Sequence, residues 1–133
     1  NLGNKLKIAS DIMLPKNRIP FVNENETMKD ALNILNSKKL GFLVVRDNNG
    51  LSVGIFTDGD LKRLMQKKKS IFNLKIKNVM TKKPISVEKN TLATDILKLM
   101  NKKKITNVCV YDNKQKNLTI GIIHIHNLVQ ILK

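Results

Sequence analysis

The sequence is short of the residues that most often carry redox chemistry, metal binding or membrane insertion. Among 133 residues it has no Trp, one Cys and 4% aromatic residues. A single Cys, Cys109, forms no internal disulfide and excludes a zinc site built from several Cys ligands, which favours a reducing, cytoplasmic location. No apolar run approaches the ~20 residues needed to cross a bilayer, and the N-terminus lacks the apolar stretch of a signal peptide. We therefore expect no transmembrane helix and no membrane partner.

Arginine is also scarce, and this changes how the charge is interpreted. Lys and Arg total 25 against 10 acidic residues, a net charge of +15 that is typical of nucleic-acid-binding proteins. Only Arg18, Arg46 and Arg63 are Arg, so the residues that contact phosphates in a bidentate manner or stack on bases are few. The Lys runs Lys67–Lys69 and Lys102–Lys104 fall at the ends of predicted helices, where cations suit the helix dipole. We interpret the excess as a solvated basic surface and expect no nucleic-acid partner.

One unit occurs twice along the chain. Val53–Phe56 matches Ile120–Ile123 at an offset of 67, and the segment ending at Met13 matches the one ending at Met80 at the same offset. A repeat of this length is too long for a solenoid and indicates a duplicated small domain. Each copy alone would bury only ~60% of its unfolded surface, so the copies are expected to pack on each other.

Both copies predict the order β-α-β-β-α, which makes the fold class α+β. The predicted elements of the first copy are an extended piece at Ile19–Val22, a helix through Met28, Ala31, Leu32 and Leu35 with Thr27 and Asp30 as its capping box, a strand at Phe42–Val45, a hairpin turn at Asn49–Gly50, a strand at Val53–Thr57 and a closing helix with Leu61, Leu64 and Met65 facing inward. Those of the second are Ile85–Val87, a helix with Leu92, Ile96, Leu99 and Met100 on one face, a strand at Val108–Tyr111 and a closing helix through Leu128, Ile131 and Leu132.

The ends of the two copies resemble a known family. Gly54–Arg63 (GIFTDGDLKR) and Gly121–Leu128 (GIIHIHNL) are similar to the ends of the first and second CBS repeats of sugar-phosphate isomerases, and Asp11–Met13 and Val79–Thr81 also fit. The chain resembles the CBS pair of bacterial arabinose 5-phosphate isomerases, which interconvert ribulose 5-phosphate and arabinose 5-phosphate for Kdo and lipopolysaccharide synthesis. The resemblance implies two CBS repeats packed as a pseudo-symmetric pair. It also implies that catalysis belongs to an N-terminal sugar isomerase (SIS) domain, so we expect no catalytic residue here.

The same resemblance suggests domain boundaries. Residues 1–7 would end a linker from a missing SIS domain, residues 8–69 would form the first repeat, 70–75 a linker and 76–133 the second repeat. The chain begins with Asn1 rather than Met, and we interpret it as a piece of a longer protein.

Thr57 and Asp60 form the main candidate site, where a predicted strand meets a helix N-terminus. Such a place favours anions, including phosphate. The resemblance implies that the Thr57 hydroxyl contacts phosphate, that Asp60 accepts from ribose hydroxyls and that Gly54 lets the ligand approach the backbone. The same Thr-x-x-Asp spacing also forms a capping box without any ligand. We favour a nucleotide-type ligand over the cap alone.

The second copy departs from this pattern. His124 replaces Thr57 and Asn127 replaces Asp60, which predicts one asymmetric ligand bridging the copies rather than two equal sites. His124 and His126 alternate along an extended segment, as in some metal sites. No third ligand is evident, so we expect neither a metal nor a cofactor.

Further candidates line the cleft between repeats by analogy with CBS pairs. Arg18, Ile19, Pro20, Pro84 and Ile85 would hold a base or sugar through backbone groups and an apolar wall. For Arg18, an anion contact and an exposed loop charge remain equal alternatives. Cys109, mid-strand between apolar neighbours, is predicted to fill the core.

The resemblance thus implies a regulatory module that senses a nucleotide or sugar nucleotide, such as the pathway product CMP-Kdo. It also implies a homo-oligomer, because CBS pairs commonly dimerise and the parent family is tetrameric. Sensing of AMP or ATP is one alternative, and a purely structural oligomerisation module is another.

Overall fold

The computed structural model describes residues 2–133, which form two compact units. The terminal unit joins residues 2–19 to residues 85–133, and the central unit is Pro20–Pro84. The helices are α1 (Leu2–Lys5), α2 (Ala9–Ile12), α3 (Met28–Lys38), α4 (Asp58–Lys67), α5 (Ala93–Lys103) and α6 (Ile125–Leu132), with 3-10 turns at Lys16–Arg18 and Ile76–Asn78. The strands are β1 (Leu14–Pro15), β2 (Phe21–Asn23), β3 (Phe42–Arg46), β4 (Ser52–Thr57), β5 (Thr81–Lys82), β6 (Ser86–Glu88), β7 (Asn107–Tyr111) and β8 (Thr119–His124).

Each unit contains one four-stranded sheet, and the two sheets are built alike. The strand order is β2-β3-β4-β5 in the central unit and β6-β7-β8-β1 in the terminal unit. In each sheet the first pair is parallel and the other two pairs are antiparallel. The chain therefore runs β-α-β-β-α twice, so the predicted α+β class and repeat order are confirmed.

The two-residue strands decide which segment belongs to which unit. β1 pairs with β8, placing Leu14 opposite Ile122, and β5 pairs with β4, placing Lys82 opposite Gly54. The start of the first predicted repeat (residues 8–15) thus folds with the second sheet, and the start of the second (residues 76–82) folds with the first sheet. We call these two stretches the exchanged segments. The compact units divide the chain after Ile19 and after Pro84. The predicted repeats, residues 8–69 and 76–133, are instead segments that resemble each other in sequence, so their bounds differ from those of the units.

Helix α3 follows the predicted apolar stripe. Met28, Ala31 and Leu35 are buried, and the Thr27 hydroxyl accepts a hydrogen bond from the Asp30 N–H at 3.4 Å. This contact is one half of the predicted capping box. The helix ends at Lys39, which adopts the left-handed conformation with a φ of 55°.

Helix α5 begins one residue later than the apolar pattern suggested. Ala93, Ile96 and Met100 are its buried residues. Leu92 is the extended N-cap and is 37% exposed, so its predicted place on the buried helical face is wrong. Leu92 stays extended because it forms an antiparallel bridge with Ile8.

Helix α4 follows its predicted apolar face only in part. Leu61 and Leu64 pack against the central core, but Met65 is 62% exposed, so its predicted inward position is wrong.

The predicted turn at Asn49–Gly50 is present, and Asp47 organises it. The Asp47 carboxylate accepts from the N–H groups of Asn49 and Leu51, both at 2.9 Å. Gly50 has a φ of 80°, a conformation that glycine adopts at little cost.

The predicted linker at 70–75 is bound to the central unit. The Leu74 carbonyl accepts from the Met28 N–H at 2.7 Å, and the Phe72 carbonyl accepts from the Lys29 N–H at 3.1 Å. Lys75 also forms a bridge with Thr27. This segment therefore satisfies backbone donors at the start of α3, which a free tether would leave to water.

A separate apolar core holds each unit together. The central core is formed by Val22, Met28, Ala31, Leu35, Leu43, Val45, Phe56 and Ile76. The terminal core is formed by Ala9, Val87, Ala93, Ile96, Met100, Val108, Val110, Ile123 and Leu128. Ala9 and Ile76, which come from the exchanged segments, are both fully buried, so the exchange contributes to each core.

Candidate ligand-binding edges

One edge of the central sheet brings three chain segments together. The Pro20 carbonyl accepts from the Val44 N–H at 3.0 Å, Phe42 pairs with Thr57, and the Gly41 carbonyl accepts from the Asp58 N–H at 3.0 Å. The start of β2, the start of β3 and the junction of β4 with α4 therefore meet. We call this place the Thr57 edge and define it as Pro20, Gly41–Phe42 and Thr57–Asp60.

At the Thr57 edge the full capping box is present. The Asp60 N–H donates to Thr57 Oγ1 at 3.1 Å, and the Thr57 N–H donates to Asp60 Oδ2 at 3.0 Å. The cap fixes both side chains at the first turn of α4 without any ligand. The Thr57 hydroxyl proton and further carboxylate lone pairs remain available for other contacts, so the cap and a ligand are chemically compatible.

Sequence reasoning missed a third side chain at this edge, that of Arg63. Its Nη2 lies 2.7 Å from Asp60 Oδ1 in an ion pair one helical turn along α4. The Asp60 side chain is 16% exposed and that of Arg63 is 66% exposed. The Asp-x-x-Arg spacing on a helix could have predicted the pair, since positions i and i+3 are neighbours.

Gly54 lies within the sheet and has a packing role. A Cβ at this position would lie 2.8 Å from Met80 Cγ and 3.0 Å from the Thr81 carbonyl oxygen. Gly121 of the terminal unit has the same relation to Met13, whose Cγ would lie 2.7 Å away. The paired glycines therefore admit the methionines of the exchanged segments, while a ligand contact at Gly54 stays a prediction.

The corresponding edge of the terminal sheet is assembled by equivalent bonds. The Ile85 carbonyl accepts from the Cys109 N–H at 3.0 Å, Asn107 pairs with His124, and the Thr106 carbonyl accepts from the Ile125 N–H at 2.8 Å. We call this the His124 edge and define it as Ile85, Thr106–Asn107 and His124–Asn127. Its backbone repeats the Thr57 edge with different side chains.

A histidine caps α6 at the His124 edge. His124 Nδ1 accepts from the His126 N–H at 3.1 Å, and the two imidazole ring centroids lie 4.7 Å apart. Burial, and then the nearby His126, lower the pKa of His124 below its usual value of 6.5. A neutral His124 with Nδ1 as acceptor carries its proton on Nε2, so it offers a neutral donor.

Asn107 is a second residue that sequence reasoning missed. It occupies the position that Phe42 has in the other copy, and its Nδ2 donates to Thr106 Oγ1 at 3.2 Å. Its Oδ1 is buried and has no hydrogen-bond partner among residues 2–133. The sequence did carry a signal for it. Asn107 is a polar residue at the start of a strand, where the equivalent position of the other copy is Phe42.

The remaining candidates are divided between the units. Arg18 is exposed in a 3-10 turn and Ile19 is buried at the end of that turn, both in the terminal unit. Pro84 ends the central unit, where it is half-buried, and Ile85 begins the second segment of the terminal unit. The Pro20 carbonyl is part of the Thr57 edge, and the Ile85 carbonyl is part of the His124 edge. The ligand contacts predicted for all five residues stay predictions.

Cys109 lies in the centre of β7 and is 1% exposed. Burial raises the pKa of its thiol to about 11, against a smaller lowering by the hydrogen bond with Thr119. The thiol is therefore protonated at neutral pH and is a poor nucleophile.

Two searches of residues 2–133 bear on other kinds of site. No group of three or more His, Cys, Asp and Glu side chains is arranged to hold a metal ion. None of the helices in the same range has the length and apolar character that a membrane crossing requires.

Comparison with family models decides the family of the chain. The model of the CBS domain matches twice, at residues 9–67 and 76–133. The chain belongs to the CBS domain family. Both matched segments include one edge each, so the edges are equivalent positions in two CBS repeats.

Among curated relatives, the arabinose 5-phosphate isomerase KdsD of Salmonella typhi is 41% identical over 97% of this chain, and that of Escherichia coli K12 is 38% identical over the same share. The chain spans only 39% of the length of each relative. Among solved structures, the Arabidopsis thaliana CBS-pair protein CBSX2 in complex with AMP superposes with a TM-score of 0.78 and 28% identity, covering 94% of this chain and 95% of that one. The chain is thus similar to the CBS-containing part of these isomerases.

Proposed function

We propose that this CBS pair is the regulatory and assembly module of an arabinose 5-phosphate isomerase and binds a nucleotide or sugar nucleotide such as CMP-Kdo. In this proposal a SIS domain elsewhere in the longer protein interconverts ribulose 5-phosphate and arabinose 5-phosphate, and the module joins subunits of a homo-oligomer in the cytoplasm. The observation that carries the binding function is the Thr57 edge, where a hydroxyl and a carboxylate are fixed at a helix N-terminus.

The chemistry of the edge suits a phosphorylated ribonucleoside. The positive end of the α4 dipole favours phosphate, and Thr57 Oγ1 has a proton to donate to it. Asp60 is held by the Thr57 N–H and by Arg63, and its remaining lone pairs can accept from ribose hydroxyls. The cap thus orients both groups before a ligand arrives, which reduces the entropy lost on binding.

A second candidate function is sensing of adenine nucleotides. The observation that favours it is the similarity to CBSX2, whose structure was solved in complex with AMP. In either case a ligand changes activity only by binding two states of the parent enzyme with different affinities.

Calorimetric titration of the protein with CMP-Kdo, CMP, AMP and ATP tests the proposal. We expect at least one ligand to bind with a Kd of about 1 μM or tighter, ~8 kcal/mol. Preference for CMP-Kdo supports end-product sensing, and preference for AMP or ATP supports the second candidate. If none binds while the oligomer forms, the binding function is wrong and the structural oligomerisation module remains.

Variants of the two helix caps separate binding from stability. Thr57→Ala removes a cap at the edge, while Thr27→Ala removes the same kind of cap on α3 away from it. Each should cost about 1 kcal/mol of unfolding free energy. Only Thr57→Ala should abolish saturable binding, and equal binding losses in the two variants would contradict a role for the Thr57 edge.

A further inference from the structure

We propose that Arg63 makes the Thr57 edge select phosphorylated ligands over their unphosphorylated nucleosides. This inference rests on the proposed function, because it concerns the same edge. It assigns a specificity role to a residue that the capping motif does not include.

The position of the guanidinium group is the first support. A Cβ placed on Gly59 would lie 3.4 Å from Arg63 Nη1, 3.5 Å from Nη2 and 3.6 Å from Thr57 Oγ1. The guanidinium therefore lies across the first turn of α4, on the side of the Thr57 hydroxyl.

The carboxylates at the edge are the second support. Asp58 and Asp60 place two carboxylates in the first turn of α4, and both repel an approaching phosphate. Arg63 offsets this repulsion, and its bond to Asp60 uses one of five guanidinium N–H donors. With 66% of the side chain exposed, the other donors can reach a phosphate oxygen.

The His124 edge provides an internal comparison. At the repeat offset of 67, Ile125, Asn127 and Gln130 occupy the positions of Asp58, Asp60 and Arg63. All three charges are thus absent together, and the neutral His124 replaces Thr57. An arginine is present at the edge that has carboxylates to neutralise, and we assign phosphate selection to the Thr57 edge alone.

The test compares nucleotides with nucleosides in matched variants. AMP, adenosine, CMP and cytidine are titrated into the wild type, Arg63→Gln, Arg63→Lys and Lys62→Gln; Lys62 is an exposed neighbour of equal charge. Arg63→Gln should lower the affinity for the nucleotides by about tenfold or more, because one charge-assisted contact is lost. It should leave the affinity for the nucleosides unchanged. Arg63→Lys should recover part of the loss, and Lys62→Gln should change nothing.

Each other result overturns the inference in a distinguishable way. Equal losses in Arg63→Gln and Lys62→Gln would show a general effect of net charge. Equal losses for nucleotide and nucleoside would show that Arg63 only holds Asp60. Unchanged nucleotide binding in Arg63→Gln would remove the role of Arg63 and leave the proposed function intact, whereas a wild type that binds none of the four, and neither CMP-Kdo nor ATP, would remove both. Thermal unfolding of each variant confirms that the fold is retained.

Discussion

The Thr57 edge and the His124 edge have the same backbone and different chemistry. In both, the carbonyl before the first strand of the repeat accepts from the next strand, and a polar side chain caps the helix after the hairpin. The first edge presents two carboxylates and a guanidinium, and the second presents two neighbouring imidazoles and amides. Duplication therefore preserved the positions of the functional groups while the groups themselves diverged.

The comparison also separates two kinds of conserved geometry within the molecule. Glycine–methionine packing is the same in both units because each sheet must admit an exchanged segment. The side chains at the edges differ because a helix cap tolerates several polar residues. We therefore expect substitutions of the packing glycines to have similar effects in the two units. Substitutions at the edges should have effects that occur at one edge only.

The largest effect is expected from filling the packing glycines. Gly54→Ala and Gly121→Ala should each destabilise the protein by about 1–3 kcal/mol, since the new Cβ overlaps a half-buried methionine that packs against the core. Gly121→Ala should cost more, because its Cβ also approaches Met13 Cβ at 2.9 Å. Urea unfolding measures both.

A double variant provides the control for this prediction. In Gly54→Ala with Met80→Ala, the overlap is relieved, so the combined loss should be smaller than the sum of the two single losses. Strict additivity would show that the methionine contact is not the cause.

A smaller effect is expected at the ends of α3 and α5. Lys39 and Lys104 have φ values of 55° and 57°, a left-handed conformation that strains side chains other than glycine. Lys39→Gly and Lys104→Gly should each raise the unfolding free energy by about 0.5–1 kcal/mol, and by similar amounts in the two units.

Lys38→Gly is the matched control, because Lys38 is the last residue of α3 and precedes the cap. It should destabilise by roughly 0.5–1 kcal/mol, opposite in sign to Lys39→Gly. Loss of stability in both variants would contradict the assignment of strain to Lys39.

The smallest effect is a pH dependence confined to the His124 edge. The pKa of His124 is lower in the folded state than its usual 6.5, so the unfolded state takes up the proton first. Its contribution to stability is full above 6.5 and is lost as the pH falls below that value. Protonation would also remove Nδ1 as acceptor for the His126 N–H.

The His124→Thr variant, which copies the central edge, isolates this effect. The difference in unfolding free energy between wild type and variant should change as the pH is lowered from 8 to about 5. A difference that stays constant across this range would show that His124 does not titrate differently on folding. The corresponding Thr57 cap contains no histidine.

Several features were predictable because they depend on local periodicity or spacing. The stripe of α3, the buried β3 and the capping box at Thr57 and Asp60 all follow from residues within one or two helical turns or one strand. Leu92 was misplaced because its extended conformation depends on a bridge to Ile8, which is distant in sequence. Arg63 was missed because it was counted as charge rather than as a neighbour of Asp60 on one helix face.

The amino-acid sequence by itself determined the duplication, the α+β order of each copy and the chemical contrast between Thr57–Asp60 and His124–Asn127. Only the tertiary structure decided that the start of each copy joins the sheet of the other. Two-residue strands such as β1 and β5 have no periodicity of their own, so their partners are set by long-range backbone hydrogen bonds and by the space that Gly54 and Gly121 leave for a methionine.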